Sequence, residues 1–184
     1  MYYHCSPVRG LRELIPQKPK NFDKRARVYM TTSLPMALMY GVRNFEYTYG
    51  YTKEGQIYFE EYFPDALRLL YSGKSASLYE CVPVTVETTG IPNEAVCAQP
   101  VPVLREIHIP DVMEALLEQQ RLGNLVIRRY EELSQGTKAW IFRAQLQEIE
   151  RRNLLHTPCP MADYMKRCYP EVWAAAEEKV TPEG

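Results

Sequence analysis

The chain lacks several features that would have pointed to particular functions. It holds no apolar run long enough to cross a bilayer, and its opening, MYYHCSPVRGLRELIPQ, has no apolar stretch of the kind a secretory leader needs. The expectation is a cytoplasmic protein with no membrane partner. Five cysteines (Cys5, Cys81, Cys97, Cys159, Cys168) are scattered without a CxxC pair, so they read as reduced thiols rather than a disulfide framework or a zinc site. A basic surplus is missing too: 22 Lys and Arg face 23 Asp and Glu, for a net charge of −1. That balance argues against a dedicated nucleic-acid binder, which uses excess positive charge to displace counterions, although a local basic patch stays open. Histidine is scarce, with three copies. Glu106 and His108 share a strand face, but two ligands without a third make poor evidence for a metal.

What is present is a core and an excess of one aromatic. With 184 residues, 46% of them hydrophobic, the chain suits one domain, or one domain with an appendage. Tyrosine occurs 14 times against five phenylalanines and two tryptophans, and seven tyrosines fall between Tyr40 and Tyr71. A tyrosine pairs a flat apolar face with a polar tip, which suits half-buried surfaces and rings stacked on a ligand.

The pattern predicts a β-rich first part over 1–110 and a helical remainder over 111–184. YYHCS and RVYMTT read as strands, and LPMALMYG as a short apolar helix ended by Gly41. The stretch 44–77 reads as a tyrosine-rich insertion with a turn at Glu54-Gly55 and a helix begun by Pro64 and Asp65. ASLYECVPV and AVCAQPVPVLREIHI return to extended patterning. Beyond Pro110, Asp111 reads as an N-cap, Ser134 or Thr137 as another, and Pro170 as an interruption or restart of the last helical stretch. The simplest role for this tail is to cover a face of the sheet.

Four pieces of the first part carry chemistry in their order. His4 lies in YYHCSP, Tyr29 in RVYMTT, Tyr40 eleven positions later in ALMYG, and Glu94 follows Asn93 at the start of a late strand in IPNEAVCAQPV. This order resembles the ADP-ribosyltransferase superfamily, in the branch marked by His, Tyr and Glu. His4-Cys5-Ser6, the pair Tyr29 and Tyr40, and Asn93-Glu94 resemble motifs of poly(ADP-ribose) polymerase catalytic domains. Val28-Tyr29-Met30-Thr31 with Ala37 resembles the rifampin ADP-ribosyltransferases, and the whole layout resembles a set of bacterial proteins that share the helical tail. The resemblance implies an α+β fold with a split β-sheet core over 1–110, followed by the helical extension packed on it.

It also implies a reaction. A mono-ADP-ribosyltransferase would cleave NAD, its substrate, and pass ADP-ribose to a protein or small-molecule acceptor, or to water. Tyr29 and Tyr40 would wall a slot for nicotinamide, and Ser6 would bond its carboxamide. His4 would hold a hydroxyl of the adenosine ribose. Glu94 would be the catalytic carboxylate, binding the nicotinamide ribose and stabilising the cationic transition state, which resembles that of a glycosidase. Two departures stand against activity. Glycine normally follows the signature histidine, so Cys5 would narrow the slot; Ala37 replaces a hydroxyl that Thr32 or Ser33 would have to supply. Glu80 and Glu106 are alternative carboxylates. A Cys5–His4 nucleophile is disfavoured because adjacent strand residues face opposite ways, and histidines at 4, 108 and 156 do not supply the pattern of a tRNA 2′-phosphotransferase. The competing reading is an inactive binding protein of this fold, its cleft filled by the insertion.

Overall fold

The computed structural model describes residues 1–18 and 25–180. The first strand, β1 (Tyr2–Ser6), is followed by the short β2 (Glu13–Leu14) and by β3 (Val28–Thr31). In β3 the alternation is direct: Val28 and Met30 are buried and Tyr29 between them is exposed. Helix α1 (Leu34–Met39) starts at once, because Ser33 caps it by accepting from the Met36 N–H and Pro35 sits in its first turn. Its C-cap is Tyr40.

The tyrosine-rich stretch is more regular than its composition suggests. Strands β4 (Tyr49–Tyr51) and β5 (Ile57–Glu60) flank a turn in which Gly55 has φ 81°, a left-handed conformation that favours glycine. Helix α2 (Ala66–Tyr71) begins after Asp65 rather than with it, since Asp65 itself is left-handed at φ 57°. Then come β6 (Ala76–Cys81), β7 (Glu87–Thr88), β8 (Glu94–Cys97), β9 (Val101–Ile109) and α3 (Val112–Arg121), whose N-cap Asp111 accepts from the Glu114 N–H. The chain ends in β10 (Val126–Arg128), α4 (Gln135–Arg151), α5 (Pro160–Cys168) and α6 (Pro170–Val180). Ser134 caps α4, and Pro170 restarts the helical path as α6. No helix among the described residues is long and apolar enough to cross a membrane.

The fold is α+β, and its larger sheet is antiparallel throughout. Seven strands form one sheet in the order β2–β9–β6–β1–β3–β8–β7, and three form another in the order β10–β5–β4. The chain divides into two units. The first comprises Met1–Tyr47, Tyr51–Ile57 and Leu67–Val126, so α3 belongs with the large sheet and the break falls after Val126. One face of that sheet buries Leu14, Val28, Met30, Tyr79, Cys81, Cys97 and Val101 as a cluster. Helix α1, buried at Pro35 through Met39, covers the other face, where the Thr31 hydroxyl donates to the Met36 sulfur at 3.3 Å.

The second unit comprises Thr48–Gly50, Tyr58–Ala66 and the chain from Ile127 onward. Its centre includes an aromatic trio, Phe63, Tyr164 and Tyr169, with edge-on packing and Phe63–Tyr169 centroids 5.2 Å apart. Buried Glu61 is satisfied there by the Arg129 guanidinium at 3.1 Å and the Tyr130 N–H at 3.3 Å.

Candidate functional site

All six expected site residues lie in the first unit, on β1, β3, β8 and the end of α1. The seven-stranded sheet sets β1, β3 and β8 side by side, so the strands carrying His4, Tyr29 and Glu94 are immediate neighbours. Their seams differ. β3 and β8 pair along four positions, with Thr31 opposite Glu94 and Tyr29 opposite Val96. β1 and β6 pair along five, with His4 opposite Tyr79. Between β1 and β3 a single pair remains, Tyr3 opposite Thr31.

That single pair determines how His4 meets the rest. Tyr3, Thr31 and Glu94 are successive cross-strand partners and share a face; alternation puts Tyr29 on it and His4 on the other. In an unbroken sheet His4 would point away from the set. Where β1 and β3 part, the imidazole instead bridges the gap, its Nδ1 lying 2.9 Å from the Tyr29 carbonyl oxygen. A carbonyl can only accept, so Nδ1 carries the proton and, in the neutral ring, Nε2 presents a lone pair. Burial lowers the pKa of His4 from 6.5, partly offset by this bond, and favours the neutral form.

Cys5 stands where the resemblance implies glycine, and alternation from Tyr3 puts it on the same face as Tyr29 and Glu94. Its side chain is buried on the α1 face, and a Cβ placed on Gly41 would come within 2.7 Å of its Sγ. The sulfur therefore occupies space that Gly41 leaves empty. Burial pushes this thiol up to about 12, which makes it a poor nucleophile. Ser6 closes β1, and its Oγ accepts from the Val8 N–H at 3.1 Å.

The tyrosine rings keep open surface: Tyr29 is 38% exposed and Tyr40 37%. Tyr40 is stacked at 4.5 Å between centroids, tilted by 31°, on Tyr47 from the insertion. Ala37 is buried in α1. Neither hydroxyl considered in its place is idle, since Ser33 caps α1 and Thr32 donates to the Asn93 side-chain oxygen at 3.2 Å.

Asn93 holds a left-handed conformation, φ 65°, which its short polar side chain tolerates, and so turns the chain into β8. Glu94 is half-buried, with Oε2 accepting from the Thr89 hydroxyl at 2.6 Å. Tyr51, not singled out from the sequence, donates its hydroxyl to the Pro92 carbonyl at 2.6 Å. Burial raises the Tyr51 pKa above 10.0; an Asn93 hydrogen bond opposes the rise and the Glu94 charge adds to it. Its position in a tyrosine-rich run was the only signal in the sequence.

The alternative carboxylates are engaged elsewhere. Glu80 receives Arg105 in a two-pronged ion pair at 2.9 and 2.7 Å. Glu106 accepts from the Ser77 hydroxyl at 2.6 Å and from the Gly10 N–H, contacts that lower its pKa. Of the two it is Glu106 that would pair with His108, and no group of three or more metal-ligating side chains occurs among the described residues. No protein-family model matches the chain, and no curated protein is significantly similar to it.

Proposed function

We propose that the chain is an NAD-cleaving mono-ADP-ribosyltransferase, with its ADP-ribosyltransferase-like core in the first unit. One observation carries this reading: the His4 ring stands in the gap between β1 and β3, fixed on the Tyr29 carbonyl, with Glu94 on the next strand. The Nε2 lone pair suits a ribose hydroxyl donor. Beyond Tyr3, β1 has no ladder pairing to β3, so its edge is suited to hydrogen bonds with a flat carboxamide. The Cys5 sulfur, on the same face as Tyr29 and Glu94, is turned toward Gly41. Tyr29 and Tyr40 would flank the nicotinamide ring.

The chemistry then needs little proton transfer. The bond from ribose C1′ to the nicotinamide nitrogen breaks, and the electron pair leaves with nicotinamide as a neutral molecule. The ribosyl cation left behind is stabilised by the Glu94 carboxylate, which also accepts from a ribose hydroxyl. The acceptor oxygen or nitrogen, or water, bonds to C1′ and gives up its proton.

A second reading rests on the Tyr40–Tyr47 stack, which sets a ring of the insertion against Tyr40, one of the two rings that would flank the nicotinamide. In that reading the protein binds without turnover. Nicotinamide release from NAD, measured beside a Glu94→Gln variant and a thermal-shift titration with NAD, separates the two. Loss of about 100-fold or more in release by the variant, with binding retained, is the expected result for a carboxylate acting on a developing cation. Binding by both proteins with release by neither supports the inactive reading, and neither binding nor release overturns both.

A further inference from the structure

A cavity in the second unit is unrelated to the residues above. It measures about 520 Å³, within the range of pockets that enclose small organic molecules. Buried Phe63, Tyr169 and Val172 form its apolar part, and half-buried Tyr62 and Tyr130 add two rings that carry hydroxyls. Such walls suit a flat aromatic ligand, whose faces and edges meet rings at low entropic cost.

The charged groups give the ligand a sign. Lys138 and Arg143 line the cavity from α4, against one carboxylate, Glu171. The Lys138 ammonium is held in place: it donates to the Glu131 carbonyl at 3.3 Å and sits 4.9 Å over the Tyr130 ring. An ammonium has three donors, so that one carbonyl bond leaves it able to donate further. Arg143 is exposed and has no ion-pair partner among the described residues. An anion entering beside Lys138 and Arg143 would gain charge-assisted bonds without displacing an existing ion pair of either.

We propose that this cavity is a binding site for a small planar aromatic anion, a carboxylate or sulfonate of one to three rings. The site is independent of the NAD reading and stands whether or not that reading does. Two fluorescent probes of one ring system test it: 1-anilinonaphthalene-8-sulfonate, which is anionic, and N-phenyl-1-naphthylamine, which is neutral. The sulfonate is expected to saturate at one per chain. Ala139 also lines the cavity and is exposed on α4, so Ala139→Trp fills the space from a position outside the core. That variant is expected to lose about tenfold or more of the sulfonate affinity, the equivalent of about 1.4 kcal/mol, with an unchanged melting temperature. Lys138→Met is expected to weaken the sulfonate about five- to tenfold and the neutral probe by less than about twofold, as a charge-assisted bond predicts. Sulfonate affinity that Ala139→Trp leaves untouched, in a folded variant, overturns the site. Equal losses of both probes in Lys138→Met overturn its preference for anions.

Discussion

The two edges of β1 are built from the same five residues and behave differently. Along β6 every residue from Tyr2 to Ser6 has a partner, and β9 backs β6 in turn. The hydroxyl of Tyr79 extends that seam by donating to the Val8 carbonyl at 2.7 Å and accepting from the Leu11 N–H at 3.3 Å. Along β3 the ladder stops after one pair, and a side chain, His4, takes over. Each forgone ladder bond sacrifices about 1 kcal/mol of net stability. An edge left open at that cost is available to a ligand, while the closed edge fixes where the open one stands.

The largest stability effect is expected where the closed edge meets α1. Gly41→Ala puts a methyl 2.7 Å from the Cys5 sulfur and 3.0 Å from the Ala76 Cβ, so overpacking should cost about 1–3 kcal/mol in urea unfolding. Cys5→Gly in the same chain should recover part of that loss, and a double-mutant cycle that shows no coupling would contradict the shared-space account. Next comes Tyr79→Phe, which leaves the Val8 carbonyl and the Leu11 N–H short of a partner. It is expected to cost about 1–2 kcal/mol in urea unfolding, because both backbone groups lose their bond to the hydroxyl.

A smaller effect belongs to the open edge and depends on pH. The His4 pKa is lowered by folding, so below about 6.5 the unfolded chain binds the proton more readily than the native one. The neutral ring's contribution to stability is thus full above pH 6.5 and is lost as pH falls through the native value. His4→Asn should flatten the decline in urea midpoint between pH 7 and 5; an unchanged slope would mean that His4 titrates alike in both states. The smallest effect is expected from Tyr51→Phe. Losing its bond to Pro92 should loosen the approach to Glu94 and slow any nicotinamide release about threefold, about 0.6 kcal/mol, with little change in melting temperature.

The strands and helices that carry the site were legible because their signals are local. Alternation in VYMT, the Ser33 cap with Pro35, and the caps Asp111 and Ser134 all depend on residues a few positions apart. Two-residue strands such as β2 and β7 escape any periodicity, since two positions cannot show a period. β10 was missed for a similar reason, being three residues within VIRRY. Asp65 read as a helix start because its composition matches a cap, whereas its positive φ depends on the chain path around it. At the site, the order of His4, Tyr29, Tyr40 and Glu94 was readable, but the parting of β1 from β3 was not. Register is a property of two strands whose partners lie 25 and more residues away, and nothing within YYHCS marks the point where pairing ends. Tyr47 and Tyr51 were likewise hidden among five other tyrosines of one segment, and their contacts with Tyr40 and Pro92 are tertiary.

The contact between Cys5 and Gly41 bears on how chains of this kind are compared. A pattern that asks for glycine after the histidine scores Cys5 as a mismatch and ignores Gly41, thirty-six positions on. On the α1 side of β1 the space beside these two residues holds one substituent, which the Cys5 sulfur fills and Gly41 leaves to it. Two columns that an alignment treats as independent thus encode one volume, divisible between them up to the limit set by Ala76 and the Leu38 carbonyl. A larger residue at 41 therefore calls for a smaller one at 5, and a change at either position is felt at the other.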